Sequence, residues 1–420
     1  MNELVIFLCK CLTVGLAVQV FFMLVFLWYL QSYKRTLLPD EELPKTAVIL
    51  CLRGADPFLS DCLKALLNQN YPEYDLKVVV DRVSDPAWAV ATHTVQEHGA
   101  ANVDISPLRI IRKNCSLKCS CIIQAITELD RSYQAIALVD ADTIVHPHWL
   151  RELVTPLADP KIGATTGNRW YVAKGNHWGT IVRYMWNISA VVQMYIYGIP
   201  WGGTLAVKTA VLEQTKLLDH WGKAFCEDTM MGDILGKHKL RIKFVPSLIM
   251  VNQEECNLSA LKSWMQRQLL FCRLYHHHWL AVVVNAILTI LFPTLLSVLF
   301  IAAFLTGQWY VAILSFSYYS SYVLSLLLIT VFLELAVQLV IRSHHQPHTQ
   351  LSMAVIFKML MAIPLTQWVY GLVFLSSLRM SKVKWRGITY KFQSPWKIQL
   401  VEYRPYHPSE QPASPNISLN

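Results

Sequence analysis

The stretch "ALVDADTIVHPHWL", Ala137 to Leu150, decides the reading of this chain. Small and aliphatic residues run straight into two carboxylates, Asp140 and Asp142, with only Ala141 between them. A buried strand ends in two negative charges where something positive meets them. Asp-x-Asp at a strand end lets the pair share a divalent cation and its water shell, and oxygen ligands without His or Cys suit Mg2+ or Mn2+. Such an ion keeps open positions for phosphate oxygens, so a diphosphate is its natural companion. Alone the pattern is weak, because it recurs by chance in many loops. The surrounding sequence has to carry it.

Upstream, short apolar runs alternate with helix-like segments. "TAVILCL", "LKVVV", "LRIIR" and "YQAIALV" read as strands, and "PFLSDCLKALLNQ" reads as a helix with apolar residues three and four apart. Strand–helix–strand alternation predicts an α/β domain with a parallel sheet covered on both faces. Ligands of such sheets bind at the carboxyl ends of the strands. Asp81, directly after "VVV", and the Asp140/Asp142 pair both fall at such ends. "WNISAVVQMYIYGIPWGG" is apolar enough to suggest a membrane span. Asn187 and Gln193 interrupt it, however, and a span would separate the two halves of the domain. It reads as a buried or membrane-facing helix of the soluble domain.

The chain as a whole is too apolar for a soluble protein and too charged in its middle for a helical bundle alone. Its 420 residues are 54% hydrophobic and 15% charged, with a mean hydropathy of +0.34. Residues 1–31 read as an N-terminal anchor without a cleavage site, with Lys34 and Arg35 marking a cytoplasmic exit. Residues 45–278 form the soluble domain, 279–378 a second membrane region, and 379–420 a basic and then disordered tail. Trp279–Leu305, Trp309–Ile341 and Ala354–Leu378 are each long enough to cross, with Glu334 and Lys358 read as snorkelling near segment ends. Three crossings would leave the tail opposite the soluble domain. Yet Arg379, Lys382, Lys384, Arg386 and Lys391 belong on the cytoplasmic side. Either Ala354–Leu378, kinked at Pro364, does not fully cross, or the charge rule is broken. The net charge of +9 fits lysines and arginines beside anionic headgroups. No basic stripe with interleaved aromatics points to nucleic acid. Cys115, Cys119 and Cys121 lack a fourth metal ligand and read as small residues of a reduced domain.

Further candidates lie downstream. Lys118 opens a helix-like segment and could reach a phosphate. Gly202 and Gly203, after Trp201, allow close backbone approach before a strand. Glu227 and Asp228 in "FCEDTMMG" either cap the following helix or supply a general base.

Taken in order, "ILCLRGADPFL", "LLNQNYPEYDLKVVV", "VSDPAW", "ALVDADTI", "GATTGNRWYVA", "WGGTLAV", "FCEDTMM" and "KVKWRGITY" resemble the motifs of family 2 and family 21 glycosyltransferases of GT-A (Rossmann-like) fold. The resemblance is strongest to the ceramide glucosyltransferases and their bacterial lookalikes. It implies that Asp81, with Asp85 as second candidate, recognises base and ribose, and that Lys118 approaches the diphosphate. It implies that Asp140 meets the ribose or metal-bound water and that Asp142 holds Mg2+ or Mn2+. Asp228 would be the base of an inverting displacement, with Trp201, Gly202, Gly203 and Glu227 on the acceptor side. The family's Arg-x-x-Arg-Trp element is altered here: Arg267 matches its first position, whereas Leu270 and Phe271 stand where Arg and Trp are expected. Arg273 or Arg386 would supply the missing charge. His276, His277 and His278 diverge around a helix and make poor joint ligands. The implied activity is transfer of a sugar, glucose first, from a UDP-sugar to a membrane lipid such as ceramide or diacylglycerol. A processive polysaccharide synthase and an inactive scaffold are the alternatives. The catalytic domain would face the cytoplasm, in the plasma membrane of a bacterium or the ER/Golgi of a eukaryote. Oligomeric state stays open.

Overall fold

Short β-branched runs become strands and amphipathic runs become helices in the computed structural model, which describes residues 2–406 apart from 174 and 176. The strands β1 (Thr46–Leu52), β2 (Tyr74–Val80), β3 (Val103–Pro107), β4 (Ala135–Val139), β5 (Ile162–Tyr171), β6 (Thr204–Lys208) and β7 (Arg241–Asn252) form one sheet. Its order is β3-β2-β1-β4-β6-β5-β7. The first four strands are parallel, β6 runs antiparallel to both of its neighbours, and β5 pairs β7 in parallel. Leu52 lies opposite Val80, Leu50 opposite Val139, and Val139 opposite Thr204. That register brings the carboxyl ends of β1, β2 and β4 to the same edge as the start of β6. Arg53, Asp81, Asp140 and Gly203 therefore leave the sheet side by side.

The helix Leu59–Leu67 buries Leu59, Cys62, Leu63 and Leu66 on one stripe, each large apolar side chain contributing about 1.5–3 kcal/mol. One strand is displaced from its expected place. "LRIIR" is irregular, and the third strand is the preceding "VDISP". Pro107 ends it by lacking a donor. The amides of Arg109 and Arg112 then donate to the side chains of Gln124 and Ser120 instead of to a neighbouring strand.

Among the described residues, four helices are long and apolar enough to cross a membrane: Asn2–Ser32, Trp279–Leu305, Trp309–Arg342 and Met353–Leu378. Glu334 does not snorkel. It is fully buried within its helix and accepts hydrogen bonds from Trp170 Nε1 at 2.8 Å, Tyr184 Oη at 2.9 Å and Gln338 Nε2 at 2.8 Å. A charge at that depth is tolerable because donors surround it. It ties the helix to β5 and to Trp178–Tyr197, the segment read as a helix of the soluble domain.

Both ends of Met353–Leu378 are fastened to the sheet. Before it, Gln346 accepts from Val251 N and donates to Ile249 O, and Thr349 Oγ1 accepts from Ala173 N. After it, the chain folds into a second, antiparallel sheet of β8 (Lys382–Trp385), β9 (Ile388–Ser394) and β10 (Lys397–Tyr403). Leu400 N donates to Lys113 O, and Tyr390 Oη accepts from Leu117 N, so this sheet sits on the segment that enters the helix Leu117–Thr127. The region expected to be basic and then disordered is thus folded through Tyr403. Its final part, 407–420, lies outside the described residues.

Candidate active site

The edge chosen by the strand register collects charge. Ser116 caps the helix Leu117–Thr127 by accepting from Cys119 N, which fixes Lys118 in the first turn. The Lys118 ammonium sits 2.5 Å from both Asp140 Oδ1 and Glu227 Oε1. Burial works against its charge, but the two carboxylates win and raise its pKa. Burial also pushes Asp140 up, and Lys118 outweighs it so that the net shift is downward. Glu227, more deeply buried, is pushed up to about 7 by burial, against the pull of Lys118 and with a push from Asp228. Cys115, Cys119 and Cys121 pack in the core behind this helix.

Asp142 is treated differently. Its polar partner is the Asn252 amide, which donates at 3.2 Å, and among the described residues it forms no ion pair. Burial, and then the charge of Asp140, push its pKa up to about 6. A carboxylate in this state is short of one positive charge. Arg169, from "GNRWYVA", is the nearest remedy. Its guanidinium lies within 5.3–5.4 Å of the rings of Tyr171, Trp201 and Trp264, and its buried Nε has no hydrogen-bond partner. Arg169 was not singled out in the sequence, because its cage comes from three separate elements and leaves no local pattern.

Asp81 is 2% exposed and doubly held. Arg53 pairs with one oxygen, and Tyr403 Oη donates to the other at 2.6 Å. Tyr403 belongs to β10, so the C-terminal sheet closes over the end of β2. Asp85 is not available in the same way. It accepts from Gly54 N at 2.9 Å and caps the helix Pro86–His98 by accepting from Ala87 N at 2.9 Å.

Two arginines converge nearby on Trp385. Arg386 and Gly387 are the two central residues of the β8–β9 hairpin, with φ of 46° and 77°. That is the left-handed pair a two-residue hairpin turn requires. The turn presents Arg386 to Asp56 and to the carbonyl of Arg53. Arg267 lies across the Trp385 ring at 6.0 Å. Its pKa is lowered to about 10 by burial and by the charges of Arg386 and Arg169. Arg273 is elsewhere: its guanidinium donates to the carbonyls of Ser377, Leu378 and Met380, closing the end of Met353–Leu378. Of the two replacements weighed for the altered arginine motif, the structure brings Arg386 to Arg267 and leaves Arg273 as a cap.

Asp228 sits at the boundary of a different environment. Gly202 N donates to its Oδ2 at 3.0 Å, and Thr229 N and Oγ1 donate to Oδ1 at 2.6 and 2.9 Å. The glycines are obligatory here. A Cβ on Gly202 would lie 1.8 Å from Glu227 Oε1, and one on Gly203 would lie 2.2 Å from the Trp201 ring and 2.8 Å from Asp140 Oδ2. Asp228, Arg169 and Trp201 line the mouth of a cavity of about 360 Å³. It extends past Met23, Asn285, Tyr322 and Tyr370 of the four membrane-length helices. His276 also lines it, with its pKa lowered to about 4 by burial and by the neighbouring His278 and His277.

Asp81, Asp140, Asp142 and Asp228 thus share one edge, with a row of basic groups on one side and an apolar cavity on the other. Solved structures resemble the chain, among them the following two. A mannosyltransferase from Pyrobaculum calidifontis, in complex with GDP-Man and Mn2+, is 16% identical over 87% of this chain and 99% of its own, with a TM-score of 0.47. GalNAc-T7 with UDP, GalNAc and Mn2+ is 11% identical over 56% of this chain and 49% of its own, with a TM-score of 0.38. Among curated proteins none matches the sequence. The model of glycosyl transferase family 21 matches residues 11–398. That match runs from within the helix Asn2–Ser32 through the charged edge and the seven-stranded mixed sheet into the tail sheet. The chain belongs to glycosyl transferase family 21.

Proposed function

We propose that the enzyme moves glucose from UDP-glucose onto the hydroxyl of a membrane lipid, such as ceramide or diacylglycerol, with inversion. The observation that carries this reading is the cavity that runs from Asp228 into the membrane-length helices. A water-soluble donor can meet the charged edge while an acyl-chain acceptor lies among apolar side chains. Asp228 takes the proton of the acceptor hydroxyl. The freed oxygen bonds to the anomeric carbon as the bond to the diphosphate oxygen breaks. Arg169, Arg267 and Arg386 face the charge that builds on the departing diphosphate, and Asp81 takes base or ribose. Glu227 holds Lys118 rather than touching the acceptor.

A divalent cation fits the residues present. Asp140 is matched by Lys118, whereas Asp142 lacks any such partner and has its pKa raised. Asp142 and Asp140 would hold Mg2+ or Mn2+, which would neutralise charge on the leaving diphosphate.

The two fastened ends of Met353–Leu378 support a topology of three crossings. A helix that starts and ends on the sheet side does not carry the chain across. It lies instead along the interface, packed on Trp178–Tyr197 and Leu258–Tyr275. Asn2–Ser32, Trp279–Leu305 and Trp309–Arg342 are then the crossings. Lys34, Arg35 and the basic tail all fall on the cytoplasmic side, as the charge rule asks. The compartment would be the plasma membrane in a bacterium and the ER/Golgi in a eukaryote.

Purified enzyme given radiolabelled UDP-glucose and mixed-lipid vesicles should yield organic-extractable label that disappears with chelator. Label in water-soluble, high-mass material would favour a polymer synthase, and label in neither phase would end the glucosyl-lipid reading.

A further inference from the structure

A second cluster of potential ligands lies apart from the charged edge and has no part in the proposed transfer. His146, four residues beyond Asp142, is 7% exposed, and Glu152 is 2% exposed. His344 follows the end of the long helix Trp309–Arg342. One ligand atom from each lies within 4.8 Å of the others. Among the described residues, neither ring nitrogen of His146 and neither oxygen of Glu152 has a hydrogen-bond partner. Glu152 has instead an ion pair from Oε1 to Arg35 at 2.6 Å. Buried polar atoms are ordinarily satisfied, and each that is not calls for an explanation such as an ion. Here a His146 ring nitrogen and Glu152 Oε2, neither of them in an ion pair, come together with a nitrogen of His344.

We propose that His146, Glu152 and His344 form a binding site for a borderline-soft divalent metal of the Zn2+ class. Two imidazoles and a carboxylate are a donor set for such an ion and not for Mg2+. Both imidazoles are poised as neutral ligands. Burial and the neighbouring ring hold His146 near about 3, and burial with the Arg35 charge holds His344 near about 4. Their rings stack at 4.0 Å with 17° between planes, an arrangement open to neutral rings. Four-coordinate Zn2+ holds N and O ligands at about 2.0–2.2 Å, hence roughly 3.4 Å from one another. Closure therefore needs one ring to turn and the ligands to draw in slightly. Arg35 can keep Oε1 while Oε2 meets the ion, which is the usual outer support of a ligating carboxylate.

The three ligands come from the loop after β4, from the helix Trp149–Val154 and from the segment after Trp309–Arg342. The ion would fasten the membrane helix, and through Arg35 the exit of the N-terminal one, to the sheet beneath the donor site. Its role is structural, and it does not depend on the choice of sugar or acceptor.

The test uses the full chain in detergent, stripped with chelator, then exposed to Zn2+ alone and desalted. Elemental analysis should find one equivalent more in the wild type and in Asp142→Asn than in His344→Ala. The melting temperature should rise with Zn2+ only in the first two. Equal zinc in His344→Ala and Asp142→Asn, or none in the wild type, overturns the site. Should His344→Ala fail to fold, Co2+ added to the wild type decides. Intense visible bands of a low-coordinate nitrogen–oxygen site support the proposal. The weak spectrum of a six-coordinate ion, or a thiolate charge-transfer band from the cysteines, overturns it.

Discussion

The two sides of Asp228 are built on opposite principles. On the donor side, charges are matched wherever the scaffold needs them: Arg53 with Asp81, Lys118 with Asp140 and Glu227, Arg386 with Asp56. Among the described residues, Arg169, Arg267 and Asp142 are left without an ion pair. Two unmatched guanidiniums beside one unmatched carboxylate are the complement of a diphosphate carrying a cation. On the acceptor side, the cavity offers mostly apolar wall. The absence of internal pairing at Arg169, Arg267 and Asp142 thus marks where a charged ligand would enter, beside the paired Asp81, Asp140 and Arg386. An apolar cavity, by the same logic, calls for a neutral and largely apolar guest.

The comparison breaks most sharply at Asp228, the group common to both sides. Asp228→Asn keeps Oδ1 as the acceptor for the Thr229 groups but turns an NH2 toward Gly202 N, so its melting temperature is measured beside its activity. Loss of the base should lower kcat by about 10²–10⁴-fold with the donor KM nearly unchanged. Steady-state assay with varied donor measures both. A fall of less than tenfold in kcat would sink the base assignment.

Arg267 and Arg273 sit on one helix and sharpen the contrast between unmatched and matched charge. Arg267→Ala should raise the donor KM by roughly 10–100-fold, the scale of a lost charged hydrogen bond. Arg273→Ala should leave that KM alone and lower the melting temperature, because three carbonyls lose their donor. The pair of variants fails as a test of the idea only if both constants move together in both proteins, which would mean that the helix itself had shifted.

Much of the charged edge was legible in the sequence, because a parallel strand must end where its apolar run meets charge. Asp81, Asp140 and Asp142 are announced in this way. What was not legible depends on residues distant in sequence. Arg169 acquires meaning only when Trp201 and Trp264 close around it. In the tail, Val383, Ile388, Tyr390 and Phe392 point inward from alternating positions, yet the hairpin between them is made by Arg-Gly. The strong hairpin signals are Asn-Gly and Asp-Gly. At Asp85 and Arg273 the converse holds: their charge is visible in the sequence, and the backbone amides and carbonyls they bond are not.

A smaller effect is expected from Glu227, which is matched but deeply buried. Its pKa rises from about 4.3 in an unfolded chain to about 7 in the fold. A group raised in this way adds stability that is complete below the lower value and is lost as pH climbs through the upper one. The melting temperature of wild type relative to Glu227→Gln should therefore decline between pH 5 and pH 8. A difference that stays flat across that range contradicts the burial argument.

The least disruptive change tests whether the tail sheet belongs to the donor side at all. Tyr403→Phe removes the hydroxyl that donates to Asp81 at 2.6 Å and accepts from Arg82 at 2.8 Å. Asp81 keeps Arg53, so no buried charge is orphaned. The loss should be that of a single net hydrogen bond, about 0.5–1.5 kcal/mol. Released from Tyr403, Asp81 is held less firmly against the incoming nucleotide. The donor KM should rise by a few-fold while the lipid KM and kcat stay put. If the lipid constant moves and the donor constant does not, the tail covers the other side of Asp228, and the division drawn between the two halves of the site is misplaced.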